Sequence, residues 1–262
     1  MRGSFDLTMH MTIPRFYCDM PLGKSPVFSL PEEVAHHAVR VLRLKAGDDL
    51  VLFDGAGGEH LVRIDRIEGS AVTVFQQAFS AREAESPLSL WLGQALCANE
   101  KMDWVFQKAV ELGVSRCSPL QTERSVVRLS QERALRRQAH WQGVIRAACE
   151  QSGRNRVPQV DPVQSLDSWF SCLPVRGMRL MLSPQGGTIL SQLAPPAGPV
   201  VILVGPEGGL GAEEVAAARA AGFQALKLGP RILRTETAAL ALVATLQGQW
   251  GDFVEARASQ PL

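Results

Sequence analysis

Residues 199–240 of this chain read PVVILVGPEGGLGAEEVAAARAAGFQALKLGPRILRTETAAL, and this stretch decides the fold. The apolar, β-branched segment 200–204 is typical of a strand that is covered on both faces of a parallel sheet. The glycine-rich turn 205–209 ends the strand, and two glutamates follow where a helix is expected to begin. Gly222 is placed to end that helix. The order predicts a strand, a sharp turn and a helix.

A second strand is predicted at residues 225–228, and the glycine-bearing loop 229–234 follows it. Thr235 suits the N-cap of a helix that begins near Glu236, because its hydroxyl can accept a hydrogen bond from a free backbone N–H group. Two loops therefore leave strand ends that we expect to be neighbours. Strands that alternate with helices indicate a parallel α/β sheet, and such sheets bind ligands at the carboxyl ends of their strands.

The ligand is limited by the motifs that the chain lacks. Neither G-x-G-x-x-G nor G-x-x-x-x-G-K-[ST] occurs, and Glu207 places a negative charge in the middle of the first loop. A nucleoside triphosphate or a dinucleotide is therefore disfavoured. A cationic adenosine-type ligand, held by backbone groups and by Ile232 and Leu233, suits the loops better. S-adenosylmethionine, with its sulfonium and ammonium groups, is such a ligand.

The two loops resemble the paired cofactor loops of the SPOUT methyltransferases, through LVGPEGGL at 203–210 and LGPRILRTETA at 228–238. The resemblance is strongest to the RsmE branch, which methylates N3 of a uridine in 16S ribosomal RNA. It extends over nearly the whole chain through HHAVRVLRLKAGD (36–48), NEKMDWVFQKAVELGV (99–114), TERSVV (122–127) and EQSGR (150–154). It implies an S-adenosyl-L-methionine cofactor, an RNA-binding PUA-like β-barrel, a SPOUT-type α/β domain with a C-terminal trefoil knot, and a homodimer.

Local patterns agree with two domains. Short β-type runs separated by glycine turns between residues 50 and 79 are typical of a small antiparallel barrel. A polar, proline-ended linker follows at 81–87. With the resemblance, these signals predict an N-terminal extension at 1–10, a PUA-like β-barrel RNA-binding domain at 11–82 and a SPOUT α/β-knot methyltransferase domain at 87–255.

The resemblance places the cofactor at the two loops and at the strand ends before them. The residues it assigns to cofactor binding are Leu182, Val204, Gly205, Glu207, Gly208, Gly209, Leu228, Gly229, Ile232, Leu233, Thr235 and Ala238. At Gly208, a side chain is expected to block the close approach of the backbone to the ligand and to force an unfavourable backbone angle.

Methylation at N3 of uracil requires loss of the N3 proton, which is only weakly acidic near neutral pH. Three carboxylates are candidates for accepting it: Glu236, Glu207 and Glu123. Arg124 and Arg234 are candidates for stabilising charge on the uracil oxygens. Arg234 precedes a helix start, where the helix dipole disfavours a cation, so an anionic partner is expected. For Glu236, the alternative is a carboxylate that only stabilises the helix N-terminus.

Arginine is concentrated in one segment. Residues 124–156 contain eight arginines and two glutamates, a local balance of +6 (8 − 2), in a chain whose net charge is only +1. RNA phosphates are one explanation, and a solubilising helix face is the alternative. The RNA-binding candidates are Arg15, Arg40, Arg43, Arg124, Arg128, Arg133, Arg136, Arg137, Arg154 and Arg156.

Composition disfavours several other classes. The five cysteines lack C-x-x-C spacing, so neither a disulfide framework nor a zinc site is indicated. The neighbouring His36 and His37 point about 100° apart on a helix and do not easily share a metal ion. No stretch approaches the ~18 apolar residues of a membrane span. We expect a cytoplasmic protein without a metal, whose partners are 16S ribosomal RNA or the small ribosomal subunit.

Two alternatives remain open. One is an enzyme of the same fold that acts on another RNA target, such as transfer RNA or a ribose 2′-hydroxyl. The other is a non-catalytic RNA-binding factor in ribosome assembly, against which the intact GPEGG and RILRTETA loops argue. Identifying the modified nucleoside distinguishes the first alternative from an RsmE-like enzyme. Measuring S-adenosylmethionine binding distinguishes the second.

Overall fold

The computed structural model describes residues 13–253. The predicted extension at 1–10 and residues 254–255 of the predicted methyltransferase domain lie outside this range. The chain divides into two compact units: the first is Met1–Glu85 with Cys149–Val157, and the second is Ser86–Ala148 with Pro158–Leu262. The segment Cys149–Val157 thus belongs to the first unit, although it lies inside the range predicted for the second domain.

The first unit contains a five-stranded sheet. Its strands are β1 Arg15–Tyr17, β2 Val27–Ser29, β3 Asp49–Phe53, β4 Glu59–Glu68 and β5 Ala71–Ser80. They lie in the order β1-β3-β4-β5-β2, with β1 parallel to β3 and the other pairs antiparallel. The three longer strands were predicted. Strands β1 and β2 have three residues each, too few for an alternating pattern to show in the sequence.

The helix that carries His36 and His37 is present, but it changes form half-way. Helix α1 covers Glu32–His36 and continues as a π-helical turn over His37–Val41. Its Val34 and Ala38 are buried in a core formed with β3, β4 and β5, while the two histidines are exposed. The apolar face of this segment, rather than its histidine pair, fixes its position.

The second unit is a parallel α/β sheet, as predicted. Its strands are β6 Leu90–Ala95, β7 Val114–Gln121, β8 Gln159–Val160, β9 Gln164–Ser165, β10 Met178–Leu182, β11 Val200–Val204 and β12 Gln224–Leu226. The strand order is β12-β10-β11-β6-β7-β8, with β9 also paired to β7, and each pair is parallel. The helices are α2 Asn99–Glu111, α3 Gln131–Ser152, which begins in this unit, α4 Leu166–Ser171, α5 Ala212–Ala220 and α6 Thr235–Trp250.

The parallel sheet places the carboxyl ends of β10, β11 and β12 side by side. All five residues of β11 are buried, as its continuous apolar sequence indicates. Strand β10 lies between β11 and β12, with Met181 beside Leu203 on one side and Ala225 on the other. The expectation that the two glycine-bearing loops leave adjacent strands is therefore wrong by one strand. The loop that follows β10 therefore lies between the two glycine-bearing loops.

Helix α6 is tied to the end of α2. It buries Leu242, Val243 and Leu246 and contacts α2. The side chain of Gln247 is fully buried and donates from Nε2 to the carbonyl oxygen of Leu112 at 2.8 Å. These contacts fix the axis of α6 and therefore the position of its first turn. Among the helices within residues 13–253, none is long and apolar enough to cross a membrane.

Candidate active site

A cleft of about 490 Å³ lies at the carboxyl ends of β10, β11 and β12. Its walls are the loops that follow these strands, together with the first turns of α2 and α6. The predicted residues that line it are Leu182, Val204, Gly205, Glu207, Gly208, Gly209, Ile232, Leu233, Thr235, Ala238, Arg124 and Arg234. Leu228 and Gly229 line a smaller hollow of about 70 Å³, which shares Leu182, Leu233 and Ala238 with the cleft. The fold thus gathers residues that are far apart in the sequence, from Lys101 and Arg124 to Ala238.

The first loop turns at Gly209, not at Gly208. Gly209 has a φ of +69°, and its N–H donates to the carbonyl oxygen of Pro206 at 2.9 Å. Gly208 does not have a positive φ, so the unfavourable backbone angle expected there is wrong. A Cβ atom added at Gly208 would lie 3.3 Å from the Cβ atom of Arg124, so the neighbouring arginine is what restricts a side chain at this position.

Sequence analysis missed most of the loop after β10. Ser183, Pro184 and Gln185 line the cleft, and Gly187 follows with a φ of +155°. A Cβ atom at Gly187 would lie 2.2 Å from the carbonyl oxygen of Ala225, so only glycine lets this loop pass beside β12. The sequence carries a signal for this loop, because a glycine pair at 186–187 follows the apolar run that forms β10, much as the pair at 208–209 follows β11.

Thr235 does not cap α6. The helix begins at Thr235 itself, and Arg234 occupies the N-cap position without a capping side-chain hydrogen bond. The Thr235 hydroxyl donates to the carbonyl oxygen of Gly205 at 2.6 Å and accepts from Nε2 of Gln94 at 2.9 Å. It therefore joins α6 to the ends of β11 and β6. The capping prediction was wrong because sequence spacing did not show that a buried partner competes for this hydroxyl.

One cation contacts two of the candidate carboxylates. Lys101, which lines the cleft, places Nζ 3.0 Å from Oε1 of Glu207 and 3.4 Å from Oε2 of Glu236. Desolvation alone would raise the pKa of Glu207, but the hydrogen bond and charge of Lys101 hold it below its ordinary value. The hydrogen bond to Glu207 also raises the pKa of Lys101. Both groups are therefore ionised at neutral pH.

The nearby thiol of Cys97 is uncharged at neutral pH. Cys97 is buried, and desolvation, with a further contribution from the Glu207 charge, raises its pKa to about 12. A thiol with such a pKa is protonated at neutral pH and is a poor nucleophile. The ionic chemistry of the cleft is therefore left to the lysine, the glutamates and the arginines.

The TERSVV segment is held against the first loop by Glu214 of α5. Its carboxylate accepts hydrogen bonds from the backbone N–H groups of Glu123 and Gly211, each at 2.8 Å. Beside this contact, Nη1 of Arg124 donates to the carbonyl oxygen of Gly208 at 3.2 Å. The arrangement brings Arg124 into the cleft lining.

The three carboxylates that were candidates for accepting a proton have different environments in the structure. Glu207 lines the cleft, whereas Glu123 is exposed outside its lining. Oε2 of Glu236 is buried and accepts no hydrogen bond from the described residues, and its contact with Lys101 is an ion pair. Only Glu207 among the three is placed to meet a ligand directly.

Two of the predicted RNA-binding arginines, Arg15 and Arg154, form ion pairs within the first unit. Arg154 is 3% exposed and forms a bidentate pair with Glu85, at 3.1 and 2.5 Å. Arg15 is 12% exposed and contacts Glu59 at 2.5 Å and Asn155 at 2.7 Å. Burial removes Arg154 from the RNA-binding prediction, because its guanidinium cannot reach a phosphate in this arrangement. The exposed candidates of this unit are Arg40, Arg43 and Arg156.

In the second unit, the candidate arginines remain at the surface. Arg133 and Arg136 on α3 are exposed and Arg137 is half-buried, while Trp141 and Ile145 of the same helix are buried. Arg136 forms an ion pair with Glu132 one turn earlier. Core packing therefore does not explain why these arginines are present.

Two family models match the chain, one for an RNA methyltransferase domain over residues 84–247 and one for an RNA methyltransferase PUA domain over residues 30–75. The ribosomal RNA small subunit methyltransferase E of Buchnera aphidicola subsp. Schizaphis graminum is 32% identical over 94% of this chain and 100% of its own length. The protein of the same name from Bacillus subtilis is 31% identical over 87% and 92%.

A solved structure is also similar. The crystal structure of a ribosomal RNA small subunit methyltransferase E from Neisseria gonorrhoeae, bound to S-adenosylmethionine, has a TM-score of 0.87 and 39% sequence identity. The similarity covers 92% of this chain and 100% of that one.

Proposed function

The chain belongs to the ribosomal RNA small subunit methyltransferase E family, and we propose that it transfers the sulfonium methyl group of S-adenosylmethionine to N3 of a uridine in 16S ribosomal RNA. The observation that carries this proposal is the cleft, in which the loops after β10, β11 and β12 meet the charged residues Lys101, Glu207, Arg124 and Arg234. Its volume of about 490 Å³ suits a ligand of the cofactor's size.

The residues of the cleft fit a cationic adenosine-type ligand. Glu207 supplies negative charge, and the turn at Gly209 exposes backbone groups to the cleft. Ile232 is 86% exposed, and with Leu233 it offers apolar surface to an adenine ring. When bound, the cofactor supplies the methyl group, and the protein contributes orientation and electrostatics.

The charged side chains provide the rest of the chemistry. Loss of the N3 proton leaves negative charge on the uracil, and Arg124 and Arg234 both line the cleft where they can stabilise it. Glu207 is ionised, but its lowered pKa makes it a weak proton acceptor. We therefore assign the larger contribution to the two arginines, which stabilise the uracil anion, while the N3 proton passes through the Glu207 carboxylate to bulk water. Transfer of the methyl group leaves the cofactor sulfur as a neutral thioether.

The RNA partner is proposed to contact the exposed arginines of α3 and the arginines of the first unit that remain exposed. Two further features follow from family membership and belong to this proposal: a homodimer, and a trefoil knot formed by the C-terminal segment. A cytoplasmic location fits the five free cysteines, four of which are buried. Light scattering coupled to size-exclusion chromatography tests the dimer.

Nucleoside mapping tests the activity. Ribosomal RNA from a strain that lacks this gene is digested and analysed by mass spectrometry, with and without a plasmid copy of the wild-type gene. We expect 3-methyluridine at one position of 16S ribosomal RNA to be absent from the deletion strain and restored by the plasmid. An unchanged 16S methylation pattern, or loss of a modification from transfer RNA instead, would overturn the proposal.

A further inference from the structure

Lys101 stands where a cation is locally unfavourable. It is the third residue of α2, and the positive end of the helix dipole disfavours its ammonium group there. A residue that contradicts a local rule needs a compensating contact elsewhere in the fold. The compensation comes from carboxylates on two other elements, Glu207 in the loop after β11 and Glu236 in the first turn of α6.

The two carboxylates need a cation between them. One oxygen of each lies within 3.4 Å of the same nitrogen, and carboxylates held so close repel unless a positive charge or a proton is shared. Oε2 of Glu236 is buried and accepts no hydrogen bond from the described residues, so the ammonium group of Lys101 at 3.4 Å is the cation beside it. Without that group, one carboxylate has to take up a proton or move.

We propose that Lys101 is a positioning residue for methyl transfer, which holds Glu207 and Glu236 in one arrangement and so couples the loop after β11 to the start of α6. The inference rests on the proposed function, because it takes this cleft as the site of transfer. Lys101 acts through Glu207, which lines the cleft, and through α6, whose N-cap residue Arg234 and first residue Thr235 also line it. The lowered pKa of Glu207 agrees with this role.

The first test compares three variants by rate. Lys101→Gln removes the charge, Lys101→Arg keeps it, and Lys108→Gln is the matched control, because Lys108 lies on the same helix and pairs with Glu111 outside the cleft lining. Methyl transfer to small ribosomal subunits from the deletion strain is measured from pH 5.5 to 9.

We expect Lys101→Gln to lower kcat at least tenfold at neutral pH and to shift the acidic limb of the pH profile to higher pH, because Glu207 loses the cation that lowers its pKa. Lys101→Arg should recover most of the rate, and Lys108→Gln should stay within twofold of wild type. A wild-type rate and pH profile for Lys101→Gln would overturn the proposal. So would an arginine variant as slow as the glutamine variant with an unshifted profile.

A double-mutant cycle separates positioning from a direct role. If Lys101 acts through the carboxylates, Lys101→Gln should cost at least threefold less in a Glu207→Gln/Glu236→Gln background than in wild type. Additive losses would show that Lys101 acts independently of them and would contradict the proposal.

A readout without RNA keeps this inference distinct from the proposed function. Carbon-13 NMR follows the glutamate side-chain carboxyl signals through a pH titration, with circular dichroism as a check that each variant is folded. We expect the Glu207 titration to move to higher pH in Lys101→Gln and to stay near wild type in Lys101→Arg. An unchanged Glu207 titration in Lys101→Gln overturns the positioning role. If the wild-type protein transfers no methyl group, the proposed function fails, and this titration still shows whether Lys101 controls the ionisation of Glu207.

Discussion

Each unit contains a cluster of charged side chains, and the two clusters differ in what they leave available. In the first unit, the barrel cluster is Arg15, Glu59, Glu85, Arg154 and Asn155. Glu59, Arg154 and Asn155 are buried, Arg15 and Glu85 are mostly buried, and the charges pair as Arg15–Glu59 and Arg154–Glu85. In the second unit, the cleft cluster is Lys101, Glu207 and Glu236, and its first two members line an open cleft. A closed cluster can only stabilise the fold, whereas an open one can also meet a ligand. Similar ionic groups therefore serve different purposes, and burial distinguishes them.

The largest effect is expected from breaking the closed cluster. Arg154→Met leaves the Glu85 carboxylate without its bidentate partner and should lower the free energy of unfolding by about 3 to 5 kcal/mol, as for other buried pairs that lose one member. Urea denaturation measures this. Arg156→Met is the control, because Arg156 is 58% exposed and lies 3.6 Å from Glu83, so its loss should cost less than about 1 kcal/mol. Equal losses for the two variants would contradict the comparison.

The open site should respond in rate rather than in stability. Arg234 is exposed at the N-cap of α6 and lines the cleft. Arg234→Ala should lower turnover by well over tenfold, because charge on the uracil loses a stabilising cation, and should leave the urea midpoint within experimental error. Arg219→Ala, at the exposed last turn of α5, is the control. Near-wild-type turnover would return Arg234 to the solvated surface.

A smaller loss is expected when the wall of the cleft is loosened. Glu214→Gln keeps one carbonyl oxygen, so only one of the two backbone N–H groups, those of Glu123 and Gly211, can still be satisfied in the same way. S-adenosylmethionine affinity should fall about fivefold to tenfold, near 1 kcal/mol, as the TERSVV segment moves away from the first loop. Calorimetric titration measures it. Glu213→Gln in the same helical turn should bind as wild type does, and a matching loss there would remove this role from Glu214.

The surface arginines of α3 should affect RNA binding alone. Replacing Arg133, Arg136 and Arg137 with alanine should lower the log–log salt slope by up to roughly 2.7, because each lost phosphate contact accounts for roughly 0.7 to 0.9. Arg136 should contribute least, because it already pairs with Glu132. S-adenosylmethionine affinity should not change. A triple variant with the wild-type slope would mean that this helix face only solubilises the protein.

The smallest effect concerns a buried carboxylate in the first unit. Glu150 accepts a hydrogen bond from the backbone N–H of Tyr17 at 2.9 Å, and burial nevertheless raises its pKa. The folded protein therefore binds a proton that the unfolded chain has already lost, so stability falls as pH rises from the ordinary value to the raised one. Glu150→Gln keeps an acceptor without the charge. At neutral pH, the variant should be more stable than the wild type by less than about 1 kcal/mol, and its stability should no longer fall over this pH range. Thermal unfolding between pH 4 and 7 checks both.

Several elements were readable from the chain because their signals are local. Strand β11 occupies the predicted residues 200–204, and helix α5 and strand β12 end within two residues of the predicted positions. The cleft residues of the loops 203–210 and 228–238 were predicted because these loops resemble the paired cofactor loops of the SPOUT methyltransferases. Lys101 was quoted only inside a matching block, since nothing in NEKMDW shows that two distant carboxylates lie beside it.

The sequence by itself determined the parallel α/β class, the glycine turns and the family, because hydrophobic periodicity, turn chemistry and motif blocks are all written over short spans. Only the tertiary structure decided that β10 separates β11 from β12, that Thr235 joins strands instead of capping a helix, and that Arg154 is buried. Each of these depends on which distant partner competes for a strand edge, a hydroxyl or a charge. That competition is settled by packing and desolvation in three dimensions, which spacing along the chain does not record.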